Sequence, residues 1–133
     1  MLGEQVGEVS GQMIGTRILD DTGFGPRTEM TDHQVGTICD VQVEATVTFT
    51  STMRPNGTLV GEGTGFVVTA HGQTATFRGQ GVGTFTGPGT VAWRGSEVFE
   101  TTGDELSALN GIAVIFEYTV VGGKSEGKLF EWK

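Results

Sequence analysis

Two glutamates and one tyrosine interrupt alternating series of mostly apolar residues, and these three could hold or act on a ligand. Glu97 shares alternate positions with Trp93 and Phe99, and Glu62 and Tyr118 lie in similar series. A carboxyl group enclosed among apolar side chains is desolvated, which raises its pKa unless an arginine or a hydroxyl group meets it. Such a group can serve as a general acid or base, or can orient a ligand.

The same pattern allows a second interpretation. A shift of one residue in strand register turns every side chain to the opposite face, and glycine-rich strands shift easily. In that case Glu62 and Glu97 lie in solvent or pair with Arg78 and Arg94, which occupy matching positions in neighbouring segments. The sequence leaves both interpretations open.

Two other motifs indicate turns. Gly123-Lys124-Ser125 ends like a phosphate-binding loop, but Tyr118 stands where that loop requires its first glycine, so we predict a hairpin turn. Asn56-Gly57-Thr58 matches a glycosylation acceptor, but it also has the residues of a tight turn, which we favour. The chain contains no G-x-G-x-x-G, so no Rossmann dinucleotide site is expected.

Metal and cofactor sites are not expected. His33, Cys39 and Asp40 lie near one another in sequence, but zinc needs three or four ligands and the chain has 2 histidines and 1 cysteine. A Cys-His nucleophile pair would require the fold to bring the two together. We expect Cys39 to be buried and inert, and His71 to be solvated in a turn.

These residues need a β-sheet to position them. Residues 41–49 alternate strictly between apolar and polar, which predicts a half-buried strand. Turn residues separate this strand from others predicted at residues 59–69, 74–84, 90–101, 112–121 and 126–132, with less regular strands at 5–19 and 28–35. Residues 104–110 predict one helical turn, which could plug one end of a barrel.

Alternating glycines within two of the strands indicate how the sheet curves. Three share one face of each strand: Gly61, Gly63 and Gly65, then Gly79, Gly81 and Gly83. Such glycines suit a sheet that bends to close, or backbone over which another side chain lies. Closure also removes exposed edges. We therefore predict an all-β fold, a closed antiparallel eight-stranded meander β-barrel.

Length and charge restrict the class of protein. At 133 residues, the chain is expected to form a single β-barrel domain over 1–133. Its net charge of -8 argues against binding to nucleic acid or to an anionic membrane surface. The N-terminus lacks a signal-peptide pattern, and a lone cysteine forms no internal disulfide. We expect a cytoplasmic protein.

The strand at residues 112–121 is apolar on both faces. One face can fill the barrel, and the other, with Ala113, Ile115 and Val121, needs a cover. That cover is either the N-terminal segment or another subunit, and we expect a homo-oligomer.

Residues 81–95 resemble the G-x-G-x-F-x-G-x-x-G strand-turn-strand pattern of the allene oxide cyclase and dirigent-type barrels. With looser matching the resemblance extends over residues 41–133 and to small uncharacterised bacterial barrels. It implies a closed eight-stranded barrel, often oligomeric, with an apolar interior. No polar motif of either family matches around the glycines, so no activity is carried over.

Three hypotheses about function follow. The first is a binding module for a small apolar or amphipathic ligand. The second is a cyclase or isomerase that shapes an apolar substrate, with Glu97 or Glu62 as acid or base. The third is a barrel filled by side chains, with a role in assembly. The residues expected to contact a ligand are Glu62, Phe77, Trp93, Glu97, Phe116 and Tyr118.

Overall fold

The computed structural model describes residues 2–132, which form a closed barrel of eight antiparallel strands. Each strand pairs with the next, and β1 closes the barrel against β8. The predicted fold class is confirmed. The strands are β1 (Leu2–Asp21), β2 (Pro26–Ile38), β3 (Val41–Met53), β4 (Leu59–Thr69), β5 (Thr74–Gly87), β6 (Thr90–Glu100), β7 (Val114–Val121) and β8 (Lys124–Trp132).

The first two strands are longer than predicted. Their pairing shifts between Met13 and Gly15 and again between Ile18 and Asp20. Each shift changes the phase of the alternation, which is why the pattern looked poor in the sequence. The predicted turn at Gly123 is confirmed, since Gly122 and Gly123 join β7 to β8 with positive φ angles.

The inner wall of β4, β5 and β6 is largely bare backbone, because the alternating glycines face inward. Aromatic side chains from inside the barrel lie over this wall. A Cβ at Gly65 would overlap the ring of Phe77, and Cβ atoms at Gly61 and Gly83 would lie within 3.0 Å of Trp93. The glycines therefore provide space for aromatic rings, one of the two reasons predicted for them.

One end of the barrel is closed by residues 104–110, which we call the plug. Its short 3-10 turn is Ser107–Leu109, and Leu106 and Leu109 are fully buried with Phe99 in the core. Glu105 accepts hydrogen bonds of 2.7 Å from Thr69 and from the His71 ring, which ties the plug to the turn between β4 and β5. The predicted plugging turn is confirmed.

The outer face of β7 remains partly open. The N-terminal segment does not cover it, because that segment is β1 of the barrel. Ile115 is half-buried, and Val121 is exposed. Among residues 2–132 there is no helix with the length and apolar character needed to cross a bilayer.

Candidate functional site

An apolar cavity of about 90 Å³ lies inside the barrel. Phe49 borders it and makes edge-to-face contacts with Trp93 and Tyr118, at ring centroid distances of 5.9 and 6.2 Å. The plug closes the end of the barrel at which β6 leads into β7. A ligand would therefore enter at the opposite end, where the turns between β3 and β4 and between β5 and β6 lie. Five of the six predicted site residues have side chains that line the cavity: Phe77, Trp93, Glu97, Phe116 and Tyr118.

Glu97 is the carboxyl group of this cavity. It alternates in β6 with the buried Trp93 and Phe99, and its neighbour across the sheet is Gly79. A Cβ at Gly79 would lie 2.9 Å from Glu97 Cγ, so the missing side chain provides the room for the glutamate. The interpretation that places Glu97 inside the barrel is the correct one.

The environment of Glu97 favours its neutral form. Within residues 2–132 its carboxyl group makes no hydrogen bond or ion pair, and the groups around it are mainly apolar. Burial raises the pKa of Glu97 to about 8. At neutral pH most molecules therefore carry a protonated Glu97, whose O–H can donate a hydrogen bond into the cavity.

The side chain of Glu62 does not lie on the interior face where one of the two interpretations placed it. Its position borders the cavity wall, but the side chain is exposed on the outer face of β4. There it joins Arg78 and Gln80 along an open groove of about 560 Å³. Register explains this orientation: the glycine series of β4 faces inward, which turns Glu62 outward.

The arginine pairings considered from the sequence are also different. Arg94 lies 3.7 Å from the Glu117 carboxylate on the outer face, so it does not neutralise Glu97. Arg78 forms no salt bridge with Glu62 among the described residues. Glu62 therefore matches the alternative in which it is solvated, while Glu97 does not.

Tyr118 belongs to a buried polar network that the sequence did not reveal. Its hydroxyl donates a 2.6 Å hydrogen bond to Asp32 Oδ2, which also accepts from Ser125 Oγ at 2.6 Å and from Gln34 Nε2 at 3.0 Å. Asp32 is 0% exposed, and its Oδ1 accepts no hydrogen bond from the described residues. Burial, followed by the hydrogen bond and charge of Asp32, raises the pKa of Tyr118, which keeps the phenol protonated.

This network crosses the strand that closes the barrel. Asp32 on β2 reaches Ser125 on β8 across β1, and Gly11 lies between them. A Cβ at Gly11 would lie 2.7 Å from Ser125 Oγ and 2.8 Å from Asp32 Oδ1. One signal was present in the sequence: Asp32 and Gln34 occupy alternate positions on one face of a predicted strand. Their partners could be found only from the register.

The remaining candidates stay outside the cavity. Cys39 is half-buried, and burial, with Asp40 and Glu131 nearby, raises the pKa of its thiol. His33 is exposed, and His71 is exposed but bonded to Glu105. Within residues 2–132 no group of three or more His, Cys, Asp or Glu side chains is placed to hold a metal ion.

Similar structures support the barrel and nothing finer. A conserved protein of unknown function from Rhodopseudomonas palustris aligns with a TM-score of 0.82 at 12% identity, covering 98% of this chain and 97% of that one. A protein with unknown function from Clostridium acetobutylicum gives 0.83, 12% identity and 98% coverage of each chain. A β-barrel-like protein from Acinetobacter baumannii gives 0.83 and 12%, covering 100% of this chain and 96% of that one.

No protein-family model and no curated protein sequence matches this chain. These three structures are each 12% identical to this chain, so they show the fold alone. They include the kind of small bacterial barrel that the glycine pattern resembles, but they show no relationship to allene oxide cyclases or dirigent proteins.

Proposed function

We propose that the protein binds a small, neutral, mainly apolar molecule inside the barrel, and that the protonated Glu97 donates a hydrogen bond to it. The observation that carries this proposal is an unpartnered carboxyl group that borders an apolar cavity. Glu97 is half-buried, so its carboxyl group is partly removed from water, and a polar group that loses water without gaining a partner costs stability. A ligand with a hydrogen-bond acceptor would supply the missing partner.

The size of the cavity limits the ligand. Its volume of about 90 Å³ equals the liquid volume of about three water molecules, and benzene occupies an engineered cavity of about 150 Å³. The cavity therefore favours a ligand of about the size of benzene or smaller. Drug-sized molecules occupy about 300–1,000 Å³, so they are poor candidates.

The charge state of Glu97 selects among ligands of that size. Because the pKa of Glu97 is about 8, a carbonyl or ether oxygen can accept its proton in a hydrogen bond at neutral pH. A cationic amine requires the glutamate to ionise first, which costs free energy at that pH. A neutral ligand is therefore favoured.

Two observations favour binding over the cyclase or isomerase hypothesis. Acid-base catalysis by paired carboxylates would need two such groups facing the cavity, but Glu62 faces outward. Asp32 is enclosed by its own hydrogen-bond donors and does not border the cavity. A barrel packed solid by its side chains would leave no such cavity, which argues against the third hypothesis.

An NMR titration with two molecules of nearly equal shape tests the proposal. The probes are 2-butanone, which accepts a hydrogen bond, and sec-butylamine, which is cationic. We expect 2-butanone to shift the Trp93 indole and Phe116 ring signals at pH 7 with millimolar affinity, and sec-butylamine to bind less well. Above pH 8, where Glu97 ionises, the preference should decrease or reverse.

Two variants control this experiment. Glu97→Met keeps the bulk of the side chain but donates no hydrogen bond, so it should weaken 2-butanone binding by roughly tenfold, the equivalent of one hydrogen bond of about 1.4 kcal/mol. Glu62→Gln changes an exposed carboxyl group on the outer face and should leave binding unchanged. If neither probe shifts the interior signals, or if Glu97→Met binds 2-butanone as well as the natural protein, the proposal is wrong.

A further inference from the structure

The outer half of β1 has a free edge although the barrel is closed. β1 pairs with β2 as far as Asp21, but its pairing with β8 ends at Gln12 opposite Lys124. The amide of Met13 donates to Gly123 O at 2.8 Å, close to the end of this ladder. Beyond it, residues 14–21 have a neighbouring strand on one side only within the described part of the chain.

This free edge is apolar and accessible. Ile14 and Ile18 are 65% and 63% exposed, and both are large side chains. Thr16 and Ile18 pair with Met30 and Thr28 of β2, on the face that continues the barrel interior. Unpaired backbone N–H and C=O groups with apolar side chains beside them are a template for another β-strand.

We propose that two copies of this chain pair through residues 14–18 of β1, antiparallel and around a two-fold axis at Thr16. The segment Met13-Ile14-Gly15-Thr16-Arg17-Ile18-Leu19 has nearly the same apolar pattern in both directions. A two-fold axis requires this kind of symmetry, because the same surface serves both subunits. Ile14 then lies opposite Ile18 of the partner subunit.

The charges of the segment fit a second copy. Arg17 lies opposite Gly15 of the partner subunit, so the two arginines do not face each other, and Arg17 already has Glu29 of its own chain at 3.2 Å. Asp20 lies four residues from the axis. The two copies of Asp20 are thus about 26 Å apart along the ladder, well beyond the screening length of about 8 Å in physiological salt.

The pairing shifts near Ile14 and Leu19 bound the regular part of this edge on both sides of the axis. They restrict pairing to a short segment, which favours one dimer over an open series of strands. Each chain carries a net charge of -8, so repulsion opposes association. The dimer should therefore become stronger as salt screens that repulsion.

A disulfide across the axis tests the arrangement. Directly opposed residues of an antiparallel pair have Cα atoms about 4.5–5.5 Å apart, which a disulfide can span. In a Cys39→Ser background, Thr16→Cys should cross-link into a covalent dimer under mild oxidation. Thr76→Cys is the matched control, because Thr76 is also exposed but its strand is paired on both sides, and it should form no covalent dimer.

Sedimentation of the unmodified chain gives an independent result. We expect a monomer–dimer equilibrium that salt shifts toward dimer, and Ile14→Lys with Ile18→Lys should weaken it by roughly tenfold or more. Thermal unfolding of each variant checks that the barrel remains folded. A chain that stays monomeric to millimolar concentration would overturn the proposal, and so would a dimer in which Thr16→Cys does not cross-link. Neither result depends on an interior ligand.

Discussion

The partly desolvated carboxyl group of Glu97, a half-buried residue, should make the stability of the barrel fall as pH rises. In the unfolded chain its pKa is near 4.5, and in the barrel burial raises it to about 8. Each pKa unit corresponds to about 1.4 kcal/mol. The difference of about 3.5 units means that full ionisation of Glu97 lowers the free energy of unfolding by about 5 kcal/mol. At pH 7 the free energy of unfolding is lowered by about 3 kcal/mol.

The sign follows from proton binding. Between pH 4.5 and about 8 the folded protein keeps the proton on Glu97 and the unfolded chain releases it. The stability that the protonated Glu97 contributes is then fully present below pH 4.5 and is lost as pH rises toward 8. Glu97→Gln has no such charge, so it should match the natural protein near pH 4.5 and become more stable than it at higher pH, by about 1.4 kcal/mol per pH unit.

Urea unfolding followed by tryptophan fluorescence, repeated across this pH range, measures the difference. Glu62→Gln is the control, because Glu62 is exposed and its removal should give a profile parallel to that of the natural protein. If Glu97→Gln also runs parallel at every pH, Glu97 is hydrated or paired in solution, and the argument for a desolvated carboxyl group is wrong.

Three further predictions concern other sites. Tyr118→Phe removes the hydroxyl that donates to Asp32 and should lower the free energy of unfolding by about 2 kcal/mol. Tyr118 is the only tyrosine, and its pKa is raised. Ultraviolet titration of the folded protein should therefore show no tyrosinate until the barrel unfolds in alkali. Asp40 has a φ of 63°, so Asp40→Gly should relieve strain, stabilise by about 1 kcal/mol and raise the midpoint in calorimetry by about 3–5 °C. Hydrogen bonds from His71 and Thr69 lower the pKa of Glu105 in the folded protein. The stability that Glu105 contributes is therefore present above its pKa in the unfolded chain, and it is lost as pH falls through its pKa in the folded protein. Glu105→Gln should therefore flatten the acid side of a plot of melting temperature against pH, and an unchanged acid side would contradict that role.

The strands and the barrel could be predicted from the sequence because alternation is a local signal. The orientation of each strand was harder, as Glu62 and Glu97 show. In β4 the inward positions are glycines, and bulky side chains such as Trp93 and Phe77 reach over them from neighbouring strands. The apolar residues of β4 that alternate with these glycines, such as Phe66, are consequently exposed, so apolar content pointed to the wrong face.

The Asp32 network was beyond the sequence for a different reason. Asp32 and Ser125 lie 93 residues apart, and they meet only because β1 separates β2 from β8 and carries Gly11 between them. The shifts near Ile14 and Leu19 hide the phase of β1. Contacts of this kind depend on the register of three strands, which composition and spacing do not contain.

A crystal soaked in 2-butanone tests the central claim most directly, because it locates the molecule. We predict that its carbonyl oxygen lies within hydrogen-bond distance of the Glu97 carboxyl group, with its carbon atoms between Trp93 and Phe116. A cavity that holds only water, in crystals saturated with 2-butanone, would contradict the account.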